Sequence, residues 1–162
     1  MFGKIQKGFT IAEILISVAV VSILFGIVTI NLLRTQSSTS SQTNIEKLVS
    51  DIKTQQTKAM TGATEGGSTS GNYGIYFLAD QYVLFRGSSY NPSDSSNFAV
   101  NLPEDIEIQS TTLPGNTLIF SQLNGEMIGF SESANTITIR SLTSNEQKTV
   151  TLNRYGIITT IN

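Results

Sequence analysis

With 162 residues, the chain has room for one modest globular domain beside any segment committed elsewhere. It contains no cysteine, histidine or tryptophan, which removes a disulfide framework, thiolate nucleophiles, imidazole bases and the softer metal ligands. A net charge of −2 with 14% charged residues gives no global attraction to nucleic acid.

The first feature along the chain is a short head with Lys4 and Lys7 as its only charges, ending at Gly8 and followed by Phe9-Thr10-Ile11-Ala12-Glu13. An apolar run from Ile14 to Leu33 comes next, and Glu13 is the only charge between Lys7 and Arg34. Such a run matches the roughly 20 residues a helix needs to cross about 30 Å of hydrocarbon. An ionisable group at its head is costly enough to be read as functional.

The pattern predicts one long helix from Phe9 to about Met60, in two unlike halves. Ile11 to Leu33 is apolar on all faces, as a membrane or filament-core segment would be. From Ile45 the apolar positions Ile45, Leu48, Val49, Ile52, Ala59 and Met60 form one stripe, expected to cover a sheet. Between the halves lie nine polar residues, Thr35 to Thr43, whose side chains compete for backbone hydrogen bonds and favour helix weakly. Gly26 is a second soft point, which close helix packing explains equally well.

Thr61 to Asn72 is rich in Gly, Ser and Thr and ends the helix. Strands are then predicted at Tyr73 to Leu78 and Gln81 to Arg86, turning near Ala79-Asp80, followed by a mobile polar loop from Ser88 to Asn97. Further strands are expected at Glu104 to Gln109, Thr117 to Ser121, Glu126 to Ser131, Thr136 to Leu142, Lys148 to Asn153 and Ile157 to Ile161. Asn124-Gly125 is a two-residue hairpin signal. In Thr136 to Leu142, Ile137 and Ile139 share one face and Thr138 and Arg140 the other.

Lys4 and Lys7 before Gly8, Phe9 after it, and Glu13 four positions beyond Phe9 resemble the prepilin leader of type IV pilins and type II secretion pseudopilins. The resemblance implies that a prepilin peptidase cuts between Gly8 and Phe9 on the cytoplasmic side and methylates the new amine of Phe9. The chain, numbered from Met1, then reads as the precursor.

Independent chemistry supports the spacing. Cleavage creates a cationic amine at a helix start, and Glu13 lies about one turn along. Pairing that carboxylate with the Phe9 amine of a neighbouring subunit neutralises two costly charges and rewards one axial stagger. Gly8, lacking a Cβ, leaves the scissile peptide open to close approach. A secretory signal peptide is the weaker alternative, because its core of roughly 7 to 15 residues ends at a small-residue site that is missing here. A plain single-pass anchor accounts for the apolar run but not for Gly-Phe-Thr ahead of Glu13.

From Leu113 to Ile161, the Ile119-Phe120 strand, the Asn-Gly turn, two alternating strands and a last strand following Gly156 resemble H-type pseudopilins and FimT-like minor pilins. The family resemblance implies an α+β, type IV pilin-like fold whose helix packs its C-terminal half on an antiparallel sheet domain. It divides the chain into leader 1–8, hydrophobic helix 9–33, amphipathic continuation 34–60 and β-rich head 61–162. The implied function is that of a minor pilin or pseudopilin, a non-enzymatic subunit or initiator of a type IV pilus-like or type II secretion filament. Its implied location is the cytoplasmic membrane with the head outside, then an extracytoplasmic filament. Its partners would be the prepilin peptidase, other pilin subunits and the inner-membrane assembly platform.

Two other readings remain open, a DNA-binding minor pilin and a membrane-anchored binding domain. DNA-capturing relatives carry Gly-Arg-x-Arg in the last strand, where this chain has Gly156-Ile157-Ile158-Thr159, so DNA is not an expected partner. Arg140, Lys148 and Arg154 read as solvated face residues. Glu104-Asp105-Ile106-Glu107 offers oxygens for calcium but lacks ligand-loop spacing, and a solvated strand start explains it better. No catalytic residue, cofactor or metal is expected.

Overall fold

The computed structural model describes residues 10–64 and 70–162, with backbone alone for 27–41. Lys4, Lys7, Gly8 and Phe9 lie outside the described residues. Contacts divide the chain into two compact units between Gln36 and Ser37. Helix α1 (Ile11–Thr61) contributes to both.

In the first unit the described apolar side chains are exposed, Ile11 and Phe25 at 80% and 73%. Ser17 and Ser22 donate their hydroxyls back to the carbonyls of Glu13 (2.7 Å) and Val18 (2.8 Å), which satisfies polar groups on an apolar surface. Among the described residues, no helix is long and apolar enough to cross a membrane. The second part of the run expected to do so, from residue 27 onward, has no described side chains.

The second unit is built around the C-terminal half of α1. Ile45, Leu48, Ile52 and Ala59 are almost fully buried, each of the larger side chains contributing about 1.5–3 kcal/mol by burial. Met60, expected in this stripe, is instead 49% exposed. The helical phase 45-48-52-55-59 gives the inward position to Gln55, which is buried. The helix ends as its Gly-rich sequel requires. Gly62 takes φ 64°, and the amides of Gly62 and Ala63 donate to Ala59 O (3.3 Å) and Lys58 O (3.0 Å), a Schellman closure.

Among the described residues eight strands follow: β1 (Tyr73–Phe77), β2 (Gln81–Arg86), β3 (Phe98–Asn101), β4 (Ile106–Thr111), β5 (Thr117–Phe120), β6 (Thr136–Ser141), β7 (Gln147–Leu152) and β8 (Ile158–Ile161). They form two four-stranded sheets, β3-β2-β1-β5 and β4-β6-β7-β8, and every pairing is antiparallel. The architecture is therefore α+β, a helix followed by antiparallel sheets, consistent with a type IV pilin-like fold. Ile75 and Phe77 from β1, Leu118 and Phe120 from β5, Ile137 and Ile139 from β6 and Val150 and Leu152 from β7 join the helix stripe in one core. The alternation expected in β6 holds: Ile137 and Ile139 are buried while Thr138 and Arg140 are partly exposed.

Two side chains fix the helix to this frame. Tyr82 donates its hydroxyl to Asp51 Oδ2 at 2.5 Å. Gln56 Nε2 donates to the carbonyls of Gly125 (3.0 Å) and Tyr155 (2.7 Å).

Three sequence expectations are corrected. Glu126 to Ser131 forms no strand, because Gly125 and Gly129 turn the backbone left-handed (φ 65° and 71°) and leave a single bridge, Phe120 to Met127. Asn124-Gly125 accordingly sits in a turn closed by Gly125 N–H to Ser121 O (3.0 Å) rather than between two strands. Strand β3 was not anticipated. The loop before it, expected to be mobile, is tethered: Tyr90 stacks on Tyr76 with ring centroids 4.2 Å apart and meets Phe85 edge-on at 5.6 Å. Asn97 Nδ2 also donates to Asn91 O within that loop (2.7 Å).

Candidate functional site

The head of α1 carries the residues singled out by sequence, and local chemistry explains why the helix starts there. Thr10 precedes the first helical residue, and its hydroxyl accepts the Glu13 amide (3.3 Å). Glu13 Oε2 in turn accepts the Thr10 amide (2.9 Å) and hydroxyl (3.0 Å). This is a reciprocal capping box, in which a Thr and a Glu three residues apart satisfy donors that the first turn leaves over. The Thr-x-x-Glu spacing of Thr10 and Glu13 is the sequence signal for this cap.

The arrangement engages one carboxylate oxygen of Glu13. No hydrogen bond from a described residue reaches the other, Oε1. A carboxylate has two oxygens, so one can cap its own helix while the other accepts from a further donor. Negative charge is also favoured at a helix N-terminus, where the macrodipole is positive. The leader positions Lys4, Lys7, Gly8 and Phe9 fall outside the described residues, so their geometry relative to Glu13 is not drawn.

Elsewhere the basic residues considered for DNA are occupied or apart. Arg140 Nη2 lies 2.5 Å from Glu107 Oε1. Lys148 Nζ lies 3.7 Å from Glu146 Oε1 and 3.5 Å from Gln42 Oε1. Arg154 lends its carbonyl to Met127 N–H at 2.8 Å and keeps an exposed side chain. In the acidic stretch, Glu107 is used by Arg140, and among the described residues no three acidic side chains converge to hold a metal ion.

Residues 3–29 match the family model for the prokaryotic N-terminal methylation motif. The matched stretch takes in Lys4, Lys7, Gly8, Phe9, Thr10 and Glu13. No curated protein and no solved structure matches the chain. The chain therefore carries the prokaryotic N-terminal methylation motif at the head of a helix that leads into antiparallel sheets, and this supports its likeness to type IV pilins.

Proposed function

We propose that the chain is a minor pilin or pseudopilin, a non-enzymatic structural or initiating subunit of a type IV pilus-like or type II secretion filament. The observation that carries the reading is the methylation motif matched over residues 3–29, with its Glu13 held in a capping box at the start of α1. In this reading a prepilin peptidase cuts between Gly8 and Phe9 and methylates Phe9. Lys4 and Lys7 keep the leader on the cytoplasmic side. Residues 9–33 lie in the membrane before assembly and in the filament core after it, 34–60 continue the helix, and 61–162 form the extracytoplasmic head.

Glu13 acts as the register key. Its second carboxylate oxygen meets the Phe9 amine of a neighbouring subunit, and two charges that are costly in hydrocarbon cancel at one axial stagger only. The partners are the peptidase, other pilin subunits through the helix, and the inner-membrane assembly platform. The likeness of Leu113 to Ile161 to H-type pseudopilins and FimT-like minor pilins belongs to the same proposal. DNA capture is not favoured, since Arg140 and Lys148 stand beside carboxylates and Ile157 and Ile158 follow Gly156.

Mass spectrometry of the chain from a host with prepilin peptidase tests the processing step. The expected mature N-terminus is methylated Phe9, and Gly8→Leu should abolish it. A mature start beyond Leu33 would mean ordinary signal-peptide cleavage and end the pilin reading.

A further inference from the structure

The last turn of α1 meets the loop after β5 through a thioether. Met60 packs on Gly125, where a Cβ would lie 2.4 Å from Met60 Cγ and 2.8 Å from Sδ. Gly125 turns left-handed at φ 65°, so its missing side chain both permits the turn and leaves the surface on which the sulfur rests. One helical turn earlier, Gln56 lies over the same glycine, its Cγ 3.3 Å from that Cβ position. The backbones are also tied directly, Leu123 N–H donating to Ala59 O at 3.0 Å.

Met60 is nevertheless 49% exposed. Met127 stands two residues after Gly125 and is 7% exposed. It bridges to Phe120 and donates its amide to Arg154 O at 2.8 Å. Two thioethers therefore flank one turn, the first open to solvent and the second shielded by the packing that the turn closes.

A sulfoxide at Met60 finds no spare donor in this contact. Gln56 Nε2 already serves Gly125 O and Tyr155 O, the Gly125 amide serves Ser121 O at 3.0 Å, and the Leu123 amide serves Ala59 O. Oxidation replaces an apolar contact with a polar acceptor. The new oxygen either leaves Gly125 for solvent or takes a donor that closes the turn, and both loosen the loop from the helix.

We propose that Met60 is an oxidation-sensitive latch holding the β5–β6 loop against α1. Hydrogen peroxide transfers one oxygen to a sulfur lone pair: the O–O bond breaks as the S–O bond forms, the thioether is oxidised, and the peroxide is reduced to water. Once Met60 has left Gly125, the loop opens and the same oxidant reaches Met127. Oxidation is therefore ordered, Met60 before Met127, and methionine sulfoxide reductases reverse it. The inference is independent of the filament reading, which rests on the other end of the helix.

The test is a hydrogen peroxide time course on the full-length chain in detergent micelles, read by peptide mass spectrometry at each methionine and by amide exchange at Leu123. Met60 should oxidise about tenfold faster than Met127 or more. Met127→Leu, a nearly volume-conserving change, isolates the first step, and oxidation of Met60 in it should raise Leu123 exchange about tenfold. Methionine sulfoxide reductases A and B together should restore the starting exchange. Met60→Leu keeps an apolar contact on Gly125 without an oxidisable sulfur, so it should slow the oxidation of Met127 about fivefold or more. Met60 oxidising no faster than Met127, unchanged Leu123 exchange in oxidised Met127→Leu, or Met127 oxidising as fast in Met60→Leu as in wild type would each overturn the proposal.

Discussion

Gln56 is where a single substitution reports most directly on how the head is held to its helix. Its Nε2 reaches Gly125 O at 3.0 Å and Tyr155 O at 2.7 Å, the first in the turn after β5 and the second in the turn before β8. One amide therefore ties a loop from each sheet to α1. A hydrogen bond of this kind contributes about 0.5–1.5 kcal/mol net, and water can replace part of it at the exposed Tyr155 though not at the buried Gly125. Gln56→Ala should cost about 1–2 kcal/mol. With a urea slope of about 1–3 kcal/mol/M for a small domain, the midpoint should fall by roughly 0.3–2 M. The assay is urea unfolding of the full-length chain in detergent micelles, followed by the near-ultraviolet circular dichroism of its tyrosines. Amide exchange should rise around Gly125 and Tyr155 in the same variant. Gln56→Glu keeps the stem but sets a carboxylate against two carbonyls, so at neutral pH it should be no more stable than the alanine variant. A midpoint within about 0.2 M of wild type, with unchanged exchange in both loops, would refute the clamp.

Burial pushes the Tyr82 hydroxyl above the ordinary phenol value, with the hydrogen bond and charge of Asp51 adding to the rise. The folded protein thus holds this proton more tightly than the unfolded chain, so its contribution is intact below about pH 10 and falls as pH rises beyond it. Tyr82→Phe should lower stability at pH 7 by about 1 kcal/mol and flatten the alkaline limb of the stability profile; identical alkaline slopes would contradict this. The full-length chain should show no tight binding to duplex DNA at physiological salt. Tight, steeply salt-dependent binding removed by Arg140→Ala or Arg154→Ala would make DNA uptake the leading function.

Much of this organisation was legible because it is periodic. Strands β4, β5, β6 and β7 alternate, and the residues that alternate inward, such as Ile137 and Ile139, are those that are buried, whereas β8 buries none. Strand β3 escaped because its four residues bury only Val100, leaving no alternation to read after a Ser- and Asn-rich loop. Over Glu126 to Ser131 it is Gly125 and Gly129 that set the backbone. At the helix, apolarity misled where phase would have served: Met60 is apolar but lies beyond the inward row, and Gln55 is polar but lies on it. The tethering of the 88–97 loop depends on Tyr90 finding Tyr76 across the sheet, a contact no local rule contains. At the motif, Thr10 and Glu13 carried a cap signature that composition and charge alone did not bring out.

The central claim is that Glu13 serves its own helix with one oxygen and a neighbouring subunit with the other. Glu13→Gln separates the two, since glutamine also serves at this position of a capping box but has no charge to offer the Phe9 amine. The measurement is the amount of mature protein in sheared filaments from a host that assembles them, with the membrane fraction as control. Glu13→Gln should be cleaved at Phe9 and retained in the membrane yet be depleted from filaments as strongly as Glu13→Ala. Incorporation of Glu13→Gln equal to that of wild type would contradict the account and reduce Glu13 to a helix cap.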